Sequence, residues 1–127
     1  MAVEVDRASI CDNFMDDTEL IFESIELFME SSATRLKTLA EGVAARDADK
    51  VMAEAHALKG VVGIFSPGDV MEAAKVLEFM GRNKNLDGVD EALAKFRDLL
   101  AELTRQLGEW RDEIEEEAAE EEEDDDE

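Results

Sequence analysis

Apolar residues recur at spacings of three and four along most of the chain, the period of a helix with one face turned to a core. Leu20, Ile21, Ser24, Leu27, Phe28, Leu36, Leu39 and Val43 trace one stripe. It predicts a long helix starting near Asp17 or Thr18, with Glu19 in its first turn. Val51, Ala55, Leu58, Val62 and Phe65 predict a second, capped by Asp47 or Asp49. Val70, Ala73, Ala74, Leu77 and Met80 or Gly81 predict a third, from Pro67 to about Arg82. There Ser66 is placed to cap, Pro67 suits the first helical position and Asp69 suits the dipole. Val89, Leu93, Phe96, Leu100, Leu103, Leu107 and Trp110 predict a fourth, capped by Asp87. A shorter helix is expected from about Asp6 to Met15. The stretch "MESSATR" has weak helix propensity and is expected to bend the long helix. No β-type alternation and no internal repeat interrupts this pattern. The expected fold is all-α, an antiparallel four-helix bundle with a short N-terminal helix.

Charge changes the picture at one end. Of the 35 acidic groups, 13 fall in residues 112–127, which hold no basic group. The preceding 111 residues carry the other 22 against all 13 basic ones, a net of −9. The chain therefore divides into an N-terminal segment (1–16), the bundle (17–113) and an acidic tail (114–127). Mutual repulsion in the tail predicts a fraying helix end after about Ile114 and disorder beyond it. An acidic body argues against nucleic acid and against anionic membranes as partners. No apolar run reaches the length of a membrane span, and "MAVEVDRASI" lacks a signal-peptide pattern, so a cytoplasmic location is expected. The single cysteine, Cys11, fits a reducing compartment and reads as a small, partly buried side chain.

The chain has one histidine, His56, within "AEAHALKGVVGIF". With Val51 at 0° on a helical wheel, the four later core positions fall within about 40°. His56 then lies near 140°, Lys59 near 80°, Gly63 near 120° and Gly60 near 180°, all roughly. Each glycine costs about 1 kcal/mol relative to alanine inside a helix. Two of them on the histidine's side suggest a surface kept clear for the approach of another molecule. One histidine and one cysteine cannot supply a usual zinc site, and no metal site is expected. No serine elbow, Walker loop or kinase glycine loop is present, so nothing here uses ATP directly.

"AHALKG" (Ala55–Gly60) resembles the His-x-Leu-Lys-Gly signature of histidine phosphotransfer (HPt) domains. The flanks are similar too: "LFMESSATRLKTLAEGVAARDADKVMAEAH" before it, "GVVGIF" and "AAKVLE" after it. The likeness covers roughly Leu20 to Glu78, and the last helix by pattern alone. It implies a bundle with an exposed phosphorylatable histidine and no kinase activity of its own. His56 would be the phosphoryl acceptor and Lys59 the cation stabilising the added charge. Glu78 matches a glutamate that orients the imidazole in the similar domains of chemotaxis kinases. Gly60 and Gly63 would leave room for a receiver domain, and Met52 is either part of that docking face or bundle core. Many members have glycine ten residues after the histidine; here Ser66 stands, which puts partner choice in question.

The implied partners are receiver domains of response regulators or hybrid histidine kinases. The chain itself would bind no cofactor, and Mg²⁺ would sit on the receiver. Two alternatives stay open: phosphorylation directly by a separate ATP-binding histidine kinase domain, and a helical adaptor without chemistry.

Overall fold

Three aspartates open three of the helices. Asp6 accepts the Ser9 amide at 3.1 Å, Asp17 the Leu20 amide at 3.1 Å and Asp47 the Lys50 amide at 3.2 Å. Each carboxylate satisfies an amide without an intrahelical partner, and its charge suits the positive end of the helix dipole. The computed structural model describes residues 3–65 and 68–125, the last four of them by backbone alone. In chain order the helices are α1 (Arg7–Asn13), α2 (Thr18–Ala44), α3 (Ala48–Gly63), α4 (Asp69–Arg82) and α5 (Val89–Asp125). No strand occurs among the described residues, and none of their helices is long and apolar enough to cross a membrane.

Helix α2 packs on α3, α3 on α4, α4 on α5, and α5 back on α2. Short turns make each helix run against the one before it, so the four form an antiparallel bundle. The core takes the whole stripe of α3, with Val51, Ala55, Leu58 and Val62 buried, and Phe65 in the turn beyond it is buried too. The N-terminal segment closes one end. Phe14 stacks on Phe65 at 6.3 Å, and Phe28 meets Phe65 edge-on at 5.6 Å. The Gln106 side chain donates to the Val3 carbonyl and accepts the Val5 amide. Arg7 lies over the Trp110 ring and pairs with Glu113.

Several sequence expectations need correction. In α2 the core line runs through Ile21, Ile25, Phe28, Leu39 and Val43, while Leu20 and Leu27 are 46% and 67% exposed. Leu27 sits about 100° round the helix from Phe28, on the side opposite Ile25. Through "MESSATR" α2 stays continuous, as one long helix from Thr18 requires. Its Ser32 hydroxyl donates to the Met29 carbonyl at 3.4 Å and its Thr34 hydroxyl to the Glu30 carbonyl at 3.2 Å. Helix α4 begins at Asp69, with Gly68 at the cap position and φ of +50°; Ser66 and Pro67 lie outside the described residues. Asp87 is not the cap of α5. Its amide is held by the Asn85 side chain, and Gly88, at φ +82°, leads into Val89. In α4, Gly81 rather than Met80 takes the buried position. Finally, α5 continues past Ile114 to Asp125. Glutamate and alanine are good helix formers, and each like-charge pair costs only tenths of a kcal/mol.

Besides Met15 and Asp16 after α1 (φ +56° and +59°), two helix ends place a non-glycine residue in the left-handed region. Arg46 (φ +54°) ends α2 and Lys84 (φ +55°) ends α4. In each, the next amide bonds back five residues, Asp47 to the Gly42 carbonyl and Asn85 to the Met80 carbonyl. Arg46 offsets its strain with a bidentate pair to Asp90 and a bond to the Val43 carbonyl. Lys84 has no side-chain hydrogen bond or ion pair among the described residues. Lys84→Gly is therefore expected to stabilise the protein by about 0.5–1 kcal/mol. Arg46→Gly should gain less or lose stability. Urea midpoints of the two variants check this, and a greater gain at Arg46 would contradict it.

Candidate functional site

The core stripe of α3 dictates what that helix shows outward. His56 lies well off the stripe, and its side chain is 68% exposed. Around it the outer face is small or apolar: Ala53 and Gly60 are exposed, and so is Ile64. A Cβ added at Gly60 would meet nothing within 4 Å, so the surface beside the ring is open. Gly63 differs, because its missing side chain lies 3.5 Å from the Met71 thioether methyl of α4. Met52 is half-buried at the α3–α4 seam.

Across that seam stands Glu78, with 6% of its side chain exposed. One oxygen, Oε2, takes the hydrogen bond of His56 Nδ1. The other, Oε1, accepts from Lys59 Nζ at 3.0 Å. The Arg82 guanidinium, one turn further along α4, lies 3.6 Å from Oε2. A carboxylate this buried stays charged only if charge and hydrogen bonds replace its lost hydration. The Lys59 bond holds the Glu78 carboxyl below its ordinary pKa, helped by His56 and opposed by burial. With Nδ1–H donated to Glu78, the neutral ring keeps its lone pair on Nε2, which has no hydrogen-bond partner among the described residues. The arrangement offers one oriented nitrogen nucleophile on a clear surface, with two cations beside its anchoring carboxylate.

The reach of Glu78 depends on how closely α4 approaches α3, and Gly81 sets that distance. A Cβ there would sit 2.6 Å from the Ala48 carbonyl oxygen and 2.6 Å from the Met52 nitrogen. Both are backbone atoms of α3 and cannot rotate away. Gly81 is three residues beyond Glu78 and Met52 is four before His56. The contact thus lies one helical turn from the hydrogen bond it positions.

Of the residues singled out in the sequence, the structure brings together His56, Lys59 and Glu78, with Gly60 and Gly63 on the same side of α3. Met52 lines the seam, and Ser66 lies outside the described residues. Two members of the site were missed. Arg82 carries a signal, since it follows Glu78 by four residues and so shares its helical face. Gly81 reads in sequence as an ordinary small core position.

Residues 23–120 match the model of the Hpt domain family, and the chain belongs to that family. No curated protein matches the chain. The fold is similar to the crystal structure of histidine-containing phosphotransfer protein B (HptB) from Pseudomonas aeruginosa PAO1. The TM-score is 0.75 over 87% of this chain and 95% of that one, at 21% identity, a likeness of fold. Membership assigns the chain a histidine phosphotransfer role in a phosphorelay, and the family implies interaction with receiver domains of two-component systems.

Two measurements check this geometry. Gly81→Ala should destabilise the protein by about 1–3 kcal/mol and weaken the His56–Glu78 bond seen in imidazole ¹⁵N shifts. Unchanged stability and unchanged shifts would show that the helices need no such close approach. The second uses pH. Because the folded Glu78 carboxyl is lowered from 4.5, its stabilising effect is fully present above that value and fades as pH falls through the lowered one. The stability difference between the wild type and Glu78→Gln should therefore shrink as pH falls below 4.5. A difference that does not change with acid would contradict a depressed carboxyl.

Proposed function

We propose that His56 accepts a phosphoryl group on Nε2 from the aspartyl phosphate of one receiver domain and passes it to the aspartate of another. The observation that carries this reading is the exposed ring whose Nδ1–H is held by the buried Glu78 carboxylate. In the transfer, the Nε2 lone pair forms the N–P bond while the P–O bond to the donor breaks. The electron pair leaves with the donor carboxylate, and the Nδ1 proton stays on the ring. The ring becomes cationic as the bond forms, so its attraction to Glu78 grows towards the transition state. Glu78 therefore acts on the chemistry through the ring, as a positioning and charge-stabilising group.

The phosphoryl group brings negative charge close to Glu78, and cations must offset it. Lys59, 26% exposed, is tied to Glu78. Arg82, 58% exposed and more loosely held at 3.6 Å, is the freer of the two. Both contribute in this reading, which adds Arg82 to the lysine of the signature. Phosphoryl transfer needs in-line positioning and charge neutralisation more than further protein groups. Mg²⁺ belongs to the receiver, and this chain contributes no cofactor. The clear surface of Gly60 admits the receiver, with Gly63 and Met52 as neighbours along its rim.

A phosphorylated receiver should label the wild type, and His56→Gln should abolish the label; stable labelling of His56→Gln would sink the proposal. Glu78→Gln should slow labelling by about a hundredfold. Gly60→Ala separates stability from function: it should stabilise the fold by up to about 1 kcal/mol yet slow transfer from a receiver. A histidine kinase domain supplied with ATP, in the absence of any receiver, should leave His56 unlabelled. Labelling under those conditions would favour direct phosphorylation by a kinase.

A further inference from the structure

Helix α5 does not stop where the bundle does, and its extension leaves a groove. Between the start of α2 and residues 114–121 of α5 runs a cleft of about 500 Å³. Its floor is apolar, formed by Phe22, Ile114 and Ala118. Its polar lining is Thr18 and four glutamates, Glu19 on α2 and Glu115, Glu117 and Glu121 on α5. The last basic residue of the chain is Arg111, and it is committed at the inner end, to Glu26 and Asp112. Arg7 is likewise committed to Glu113. The rim carboxylates beyond have no ion-pair partner among the described residues. Glu113–Glu117 and Glu117–Glu121 stand four residues apart, where like charges oppose the helix that carries them.

An apolar floor with an uncompensated anionic rim selects its occupant by charge. A second copy of this chain, itself strongly acidic, is repelled, and so is an anionic membrane surface. We propose that this groove docks a basic amphipathic helix of a partner protein, with apolar residues on the floor and lysines or arginines along the rim. Such a helix would bury the exposed parts of Phe22 and Ala118 and relieve the repulsion along α5. The groove belongs to the α2–α5 side, whereas His56 faces outward from α3, which packs chiefly on α2 and α4. A partner held here leaves the histidine free, and the inference does not rest on the chemistry at His56.

The test uses the full chain and a synthetic peptide of roughly 18 residues, with leucines at helical spacing and lysines elsewhere. A lysine–serine peptide of the same length and charge is the control. The leucine peptide should bind at one per chain, shift the amide signals of Thr18–Phe22 and residues 114–121, and lose affinity steeply with salt. Glu115→Gln, Glu117→Gln and Glu121→Gln together should weaken it about tenfold or more. Phe22→Ala should also weaken it. Because Phe22 touches the core, Ala118→Trp serves as a second variant, filling the groove from its exposed side. Equal binding of the lysine–serine peptide would overturn the proposal, leaving the tail a diffuse charge. So would leucine-peptide binding that survives Ala118→Trp, or shifts that never reach α2.

Discussion

A carboxylate with 6% of its surface in water is stable as an ion only where the protein replaces its hydration shell. At Glu78 that replacement comes from both sides of one helix seam. His56 and Lys59 reach it from α3, and Arg82 from its own helix. None of these contacts is strong alone in an exposed setting. Together they hold a buried charge, and the buried charge in turn holds the ring. The site therefore depends on the distance between α3 and α4, and that distance depends on the absence of a side chain at Gly81. Packing and electrostatics are one constraint here rather than two.

The consequences for the ring are specific. A histidine on an exposed helix face would otherwise sample several rotamers and both neutral tautomers. The bond from Nδ1 selects one tautomer and turns Nε2 away from the carboxylate. The exposed nitrogen is thus oriented by a group bound on the other side of the ring. Gly60 completes the arrangement by leaving nothing beside the ring. The two glycines of "KGVVG" consequently do different things. One clears the outer face, and the other lies against Met71 in the seam.

Charge is distributed to match. The cations near the histidine, Lys59 and Arg82, are among 13 basic groups in an acidic chain, and both lie against the carboxylate that holds the ring. The uncompensated carboxylates gather along the extension of α5, on the α2–α5 side of the ring of helices. Exposed charges of this kind are screened over about 10 Å at ordinary salt, so their field is strongest at the groove itself.

Much of this was legible in the chain. The period of α3 located its core stripe residue by residue, because a helix with one buried face has only one way to satisfy that spacing. The same wheel put His56, Lys59 and the glycines off the stripe, and the caps at Asp17 and Asp47 follow from local chemistry. Where two adjacent lines were both apolar, periodicity could not choose. In α2 the neighbouring helices decided, taking Ile25 inward and leaving Leu20 and Leu27 in water. The sequence by itself determined the helices, their core faces and the identity of the histidine, since these depend on neighbours within a few turns. Only the tertiary structure decided that Glu78 closes on Nδ1, that Gly81 lets it, that Arg82 joins it and that Phe22 and Ile114 share a groove. Those pairings join residues from different helices or depend on the spacing between them, and local periodicity carries no information about which faces will meet.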